Sequence, residues 1–150
     1  MTTKADFNAE EWSTLVEGPM LAGLRVIKAG RGGTIRESLA MGQTYAKARQ
    51  QQGQNELLDA LVASPPALDR ERAQAGGDIA QMSGDRLREA VEVLGQKASP
   101  DEVEAYKQFV LTVAQAVAEA HKEGGFLGVG GTQVSEEEQA ALDDIKATLG

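Results

Sequence analysis

The sequence has no cysteine, a single histidine, four prolines and few aromatic side chains. Without cysteine the chain forms no disulfide, holds no metal through thiolates and offers no cysteine nucleophile, which fits a reducing compartment. Residues 1–6 contain no apolar run of the kind found in a signal peptide. These absences predict a cytoplasmic location.

Basic side chains are outnumbered by acidic ones, 15 against 23, so the net charge is −8. Nucleic-acid backbones and anionic membrane surfaces would repel such a chain overall. The arginines at 70, 72, 86 and 88 alternate with acidic residues, which is typical of a solvated face. We therefore expect neither a nucleic-acid partner nor a membrane partner.

The composition is that of one globular domain spanning residues 1–150, because the chain is long enough for a core and 41% hydrophobic. Residues 99–122 are the stretch around which it is organised. Ser99, Pro100 and Glu102 predict a capped helix start. The following residues 109–118 are apolar on almost every face, yet too short a run to span a bilayer. We predict an all-α fold, a compact bundle of six to seven helices around this central helix.

Other helix boundaries are indicated by caps and breakers. Asn8 and Glu11 predict a capped start, and Phe7 could pack on Trp12 as a hydrophobic staple. The Gly18–Pro19 pair predicts a break near residue 17 and a new helix from residue 19 to about residue 30.

The second half of the chain shows similar signals. Ser83 is predicted to cap a helix that Gly95 closes. Ser135 is predicted to cap the last helix, whose buried stripe is formed by Leu142, Ile145 and Leu149.

Two segments share one pattern. The first segment has an apolar helix to Ala29, then a glycine turn, then Thr34-x-x-Glu37. The second has an apolar helix to Ala120, then a longer glycine loop, then Ser135-x-x-Glu138. Long insertions in loops cost little free energy and are often functional. We interpret the segments as a pair of helical hairpins, although capping boxes are common and any two helical hairpins look alike.

This pattern resembles the TerB-like proteins of the bacterial tellurite-resistance group, over residues 19–46 and 109–149. The resemblance implies a compact helical fold with a pseudo-twofold pair of hairpins, and a non-enzymatic role in stress or metal response. It also implies cation binding near the turn glycines, at Gly33 with Glu37 and at Gly124 or Gly125 with Glu138. The family's aspartate before the turn glycine is missing in both copies.

Acidic residues concentrate in the C-terminal hairpin. Glu123, Glu137 and Glu138 could hold a divalent cation such as Ca²⁺ or Mg²⁺ if the long loop folds back, since hard cations need several oxygen ligands. The alternative is that acids in a first helical turn simply favour the helix dipole. His121, at the end of the central helix, is expected to have a structural or surface role.

The glycine-rich loop 124–131 carries Phe126, Leu127 and Val129, the best candidate contact surface for a protein partner or for self-association. It lacks the lysine of a phosphate-binding P-loop. We find no arrangement of residues that predicts an enzyme. The hypotheses are a cytoplasmic TerB-like module that binds a divalent cation or a protein, or a protein that self-associates through this loop.

Overall fold

The structure is a computed structural model that describes residues 3–29, 34–51, 56–63, 79–123 and 136–150, with the backbone alone at 29, 34–38, 79, 80 and 121–123. These residues form a short 3-10 turn, Lys4–Asp6, and six α-helices. The helices are α1 (Ala9–Ala29), α2 (Thr34–Gln50), α3 (Glu56–Ala63), α4 (Ile79–Lys97), α5 (Pro100–Glu123) and α6 (Glu136–Leu149). The described part of the chain contains no strand, and the predicted all-α bundle is confirmed.

Helices α1 and α5 lie together at the centre of the bundle. Helix α5 packs along both α1 and α2, and α1 packs just as extensively on α4. Helix α6 contacts α1, α4 and α5, whereas α3 lies mainly against α2. The predicted central helix thus shares its position with α1. Helix α2 packs on α5 far more than on its sequence neighbour α1. The predicted pseudo-twofold relation between the two helical hairpins stays a prediction.

The predicted capping boxes at two helix starts are confirmed. At the start of α1 the Asn8 amide donates to Glu11 Oε1 at 2.9 Å, and the Glu11 amide donates to Asn8 Oδ1 at 2.8 Å. At the start of α5 the corresponding bonds between Ser99 and Glu102 measure 3.1 and 3.3 Å. The Phe7 and Trp12 rings also contact, with centroids 5.9 Å apart. These bonds satisfy amides that have no partner within the helix.

The predicted break at Gly18–Pro19 is wrong, because α1 runs through both residues from Ala9 to Ala29. Proline lacks an amide hydrogen, so Pro19 cannot donate to the carbonyl of Leu15 four residues earlier. The hydroxyl of Tyr106, on α5, donates to that carbonyl instead at 2.9 Å. The helix therefore continues because a tertiary hydrogen bond replaces the one that proline removes.

Gly18 makes this hydrogen bond sterically possible. A Cβ atom at this position would lie 2.1 Å from the Tyr106 hydroxyl oxygen. Tyr106 and Leu15 are both completely buried. The sequence Gly-Pro, which usually ends a helix, here forms the contact surface between the two central helices.

Two other expectations are corrected. Ser83 does not cap a helix: it lies within α4, fully buried, and Gly95 is also inside that helix. Residues 109–118 of α5 are predicted to be apolar on almost every face, and the remaining face carries the exposed Thr112 and Gln115. The last helix does bury Ile145 and Leu149 as predicted, together with Ala141 and Glu138, while Leu142 is half-buried. None of the helices in the described part of the chain has both the length and the apolar character of a membrane span.

Candidate functional site

A groove of about 720 Å³ lies between α2, α3 and α5. Its floor is one face of α5, with residues recurring every three or four positions: Ala105, Gln108, Phe109, Thr112, Gln115, Ala116 and Glu119. Such spacing keeps side chains on a single helical face. From Ala105 to Glu119 the floor extends for about 21 Å at 1.5 Å per residue. The groove is therefore elongated along the helix.

The walls of the groove come from two shorter segments. The end of α2 supplies Thr44, Lys47, Ala48 and Gln51, and α3 supplies Leu58, Asp59 and Val62. Apolar and uncharged polar side chains are thus mixed along the site. Alanines on the floor and on one wall leave room for another backbone to approach closely.

Phe109 is held in place from behind by Tyr45. The two rings meet edge to face, with centroids 5.2 Å apart and an interplanar angle of 77°. Tyr45 is buried, its hydroxyl has no hydrogen-bond partner among the described residues, and burial raises its pKa well above the ordinary range. The aromatic part of the floor is therefore a packed surface of the core.

The polar groups of the floor are partly engaged within α5. The Thr112 hydroxyl donates to the Gln108 carbonyl at 2.7 Å, and the Gln108 amide nitrogen donates to Glu104 Oε1 at 3.1 Å. On the wall the Thr44 hydroxyl donates to the Ala40 carbonyl at 2.9 Å. These bonds use part of the hydrogen-bonding capacity of the lining within the helices themselves.

Among the described residues, three ionisable side chains line the groove: Lys47, Asp59 and Glu119. Glu119 is exposed near the C-terminal end of α5, where the helix dipole adds negative potential. The chain as a whole carries a net charge of −8. The described part of the lining therefore offers an exposed carboxylate near one end of the floor.

A second, shallower cavity of about 520 Å³ lies where α1, α4 and α6 meet. Two arginines, Arg25 and Arg88, line it, and both are already paired with carboxylates. Arg25 Nη2 is 2.6 Å from Asp144 Oδ2, and Arg88 Nη1 is 3.1 Å from Asp85 Oδ1. An anion entering this cavity would have to compete with those carboxylates.

The predicted cation ligands are described in part. Glu138 is completely buried, whereas its neighbour Glu137 is exposed, so the two carboxyl groups leave α6 in different directions. The side chain of Glu123 lies outside the described residues. Within the described ranges, no group of three or more His, Asp or Glu side chains is placed to hold a metal ion. The cation site stays a prediction.

The predicted contact loop 124–131, with Phe126, Leu127 and Val129, also lies outside the described residues. Sequence reasoning missed the groove because three segments distant in sequence line it. One signal was present: the exposed face of α5 carries Gln108, Thr112 and Gln115, uncharged residues where a purely solvated face usually carries Lys and Glu.

Comparisons with protein-family models, with curated proteins and with solved structures find no match to this chain.

Proposed function

We propose that this chain is a non-enzymatic binding module that holds a helical segment of a protein partner in the groove between α2, α3 and α5. The observation that carries the proposal is the shape of the groove, whose floor is one helical face about 21 Å long. Binding of an amphipathic helix in a groove is a common mode of peptide recognition.

The lining supports recognition by contact. Leu58 and the half-buried alanines of the lining supply apolar area, while Gln108, Thr112 and Gln115 supply exposed polar groups on the floor. Interfaces typically combine apolar area with hydrogen-bonding groups. The volume also falls within the range of small-molecule sites, about 300–1,000 Å³, but the elongated floor favours a chain segment over a compact ligand.

The proposal is one form of the partner-binding role predicted from the sequence. The TerB-like assignment and the cation-binding version of it remain predictions alongside. The cation version is tested by thermal unfolding after chelation and then with Ca²⁺ or Mg²⁺ added, since a ligand of the folded state raises the melting temperature.

The test of the groove is a titration of ¹⁵N-labelled protein with an amphipathic helical peptide of about fifteen residues, the length of the floor. Its apolar face is built from leucine and alanine and its polar face from glutamine. We expect amide shift changes concentrated at Ala48, Phe109 and Ala116. Shift changes scattered over the surface would refute the proposal.

Matched variants sharpen this test. Ala116→Gln places a larger side chain on the floor without changing charge and should abolish the shifts, whereas Ala140→Gln, on exposed α6 surface, should leave them unchanged. Ala105→Gln is a second block at the other end of the floor. Peptide binding that survives both Ala116→Gln and Ala105→Gln would show that the groove is not the binding site. Binding of an apolar dye but of no peptide in the groove would refute the proposal of a helical partner.

A further inference from the structure

The electrostatics of the groove limit which helices it would accept. Glu119, near one end of the floor, is exposed. The C-terminal end of α5 adds its partial negative charge close to Glu119. Among the described side chains, the charge at this end of the floor is that of Glu119, which would attract a basic group on an approaching helix.

The charge of the whole chain acts in the same direction. At −8, the chain repels acidic partners and attracts basic ones before contact is made. A second copy of the chain would bring another −8 to the encounter. The charge of the chain thus opposes self-association through the groove and favours a positively charged partner.

We propose that the occupant of the groove is a basic amphipathic helix, with small or apolar residues on the face that meets Phe109 and with lysine or arginine at the edge that meets Glu119. This inference rests on the proposed function and specifies the chemistry of the partner. Basic side chains at the rim would contribute mainly to the association rate and to selectivity, while the apolar face contributes most of the affinity.

The experiment compares three peptides with one apolar face and one length, whose polar positions are lysine, glutamine or glutamate. At low ionic strength we expect the lysine peptide to bind at least about tenfold more tightly than the glutamate peptide, since each rim charge contributes a small factor. High salt should reduce the difference, because it screens exposed charges.

A charge variant assigns this effect to the groove. Glu119→Gln should weaken binding of the lysine peptide by about twofold to fivefold, the range for one exposed ion pair. Glu92→Gln, which makes the same charge change at an exposed position on α4, should have a smaller effect. Equal weakening by both variants would overturn the local part of the inference.

The outcomes separate this inference from the proposed function. Equal affinity for all three peptides, or preference for glutamate, would overturn the basic partner and leave the groove as the binding site. Failure of all three peptides to shift groove resonances would overturn the proposed function itself. A dimer in sedimentation that Ala116→Gln dissociates would assign the groove to a second copy and overturn the inference.

Discussion

Replacing Tyr106 with phenylalanine is expected to destabilise the fold through the carbonyl of Leu15, by an amount that depends on Pro19. In the folded chain the Tyr106 hydroxyl donates to this buried carbonyl at 2.9 Å, and Pro19 supplies no amide hydrogen in its place. Tyr106→Phe thus leaves a buried acceptor unsatisfied. We expect a loss of about 1–3 kcal/mol in the free energy of unfolding.

The dependence on Pro19 gives the prediction its specificity. In a Pro19→Ala background the amide of residue 19 can donate to the Leu15 carbonyl as in an ordinary helix. Tyr106→Phe should then cost about 1–2 kcal/mol less than it does beside proline, a coupling in the range found for residues that share a hydrogen-bond acceptor.

The assay is urea unfolding of the four proteins of this double-mutant cycle: the parent, both single variants and the double variant. With a slope of about 1–3 kcal/mol per molar urea, a loss of 2 kcal/mol moves the midpoint by about 1 M. An equal cost of Tyr106→Phe in both backgrounds would refute the explanation of why α1 passes through Pro19. So would a Tyr106→Phe variant as stable as the parent.

Three further predictions concern stability. In urea unfolding, Gly18→Ala should cost about 1–3 kcal/mol because the added methyl group overpacks against the Tyr106 hydroxyl, and it should be tolerated in a Tyr106→Phe background. Gly42→Ala, whose methyl group meets open space in α2, should instead stabilise the fold by about 0.5–1 kcal/mol. Burial raises the pKa of Tyr45 and of Tyr106 above the ordinary tyrosine value of 10.0. The free energy of unfolding should therefore fall as the pH rises above about 10, by about 1.4 kcal/mol per pH unit for each tyrosine. Tyr106→Phe should halve that slope. A slope unchanged by that variant would contradict this assignment. The hydrogen bonds that Glu11 accepts from Lys97 and from the Asn8 amide lower the pKa of its carboxyl group. The stability that Glu11 contributes is therefore present above the ordinary glutamate pKa and is lost as the pH falls through the pKa of Glu11 in the folded chain. The urea midpoint of Glu11→Gln should accordingly vary less with pH in acid than that of the parent.

Helix starts could be predicted from the sequence because their signals are local. The boxes at Asn8 and Ser99 need only residues three positions apart, and the structure places their reciprocal bonds as expected. The all-α class follows from the same kind of signal repeated along the chain. Local rules are reliable where no distant residue competes with them.

The break expected at Gly18–Pro19 was wrong because a residue 91 positions from Leu15 supplies the missing donor. Ser83, a good cap by type, is carried into the interior of α4 by tertiary packing. The candidate groove could not be predicted for the same reason: residues near 47, 58 and 109 share no local pattern. Which side chains line a cavity is decided by how the helices cross.

The arrangement of the two central helices also orders events during synthesis. Helix α1 buries its apolar face against α4 and α5, yet Ala29 precedes Ile79 by 50 positions. At about 5–20 residues per second, the ribosome needs several seconds to produce the first of these partners. During that interval Leu15 and Val26 lack core surfaces that cover them in the folded chain. Nascent α1 is therefore a segment that chaperones would bind, and its protection from proteolysis should appear only when α5 has emerged.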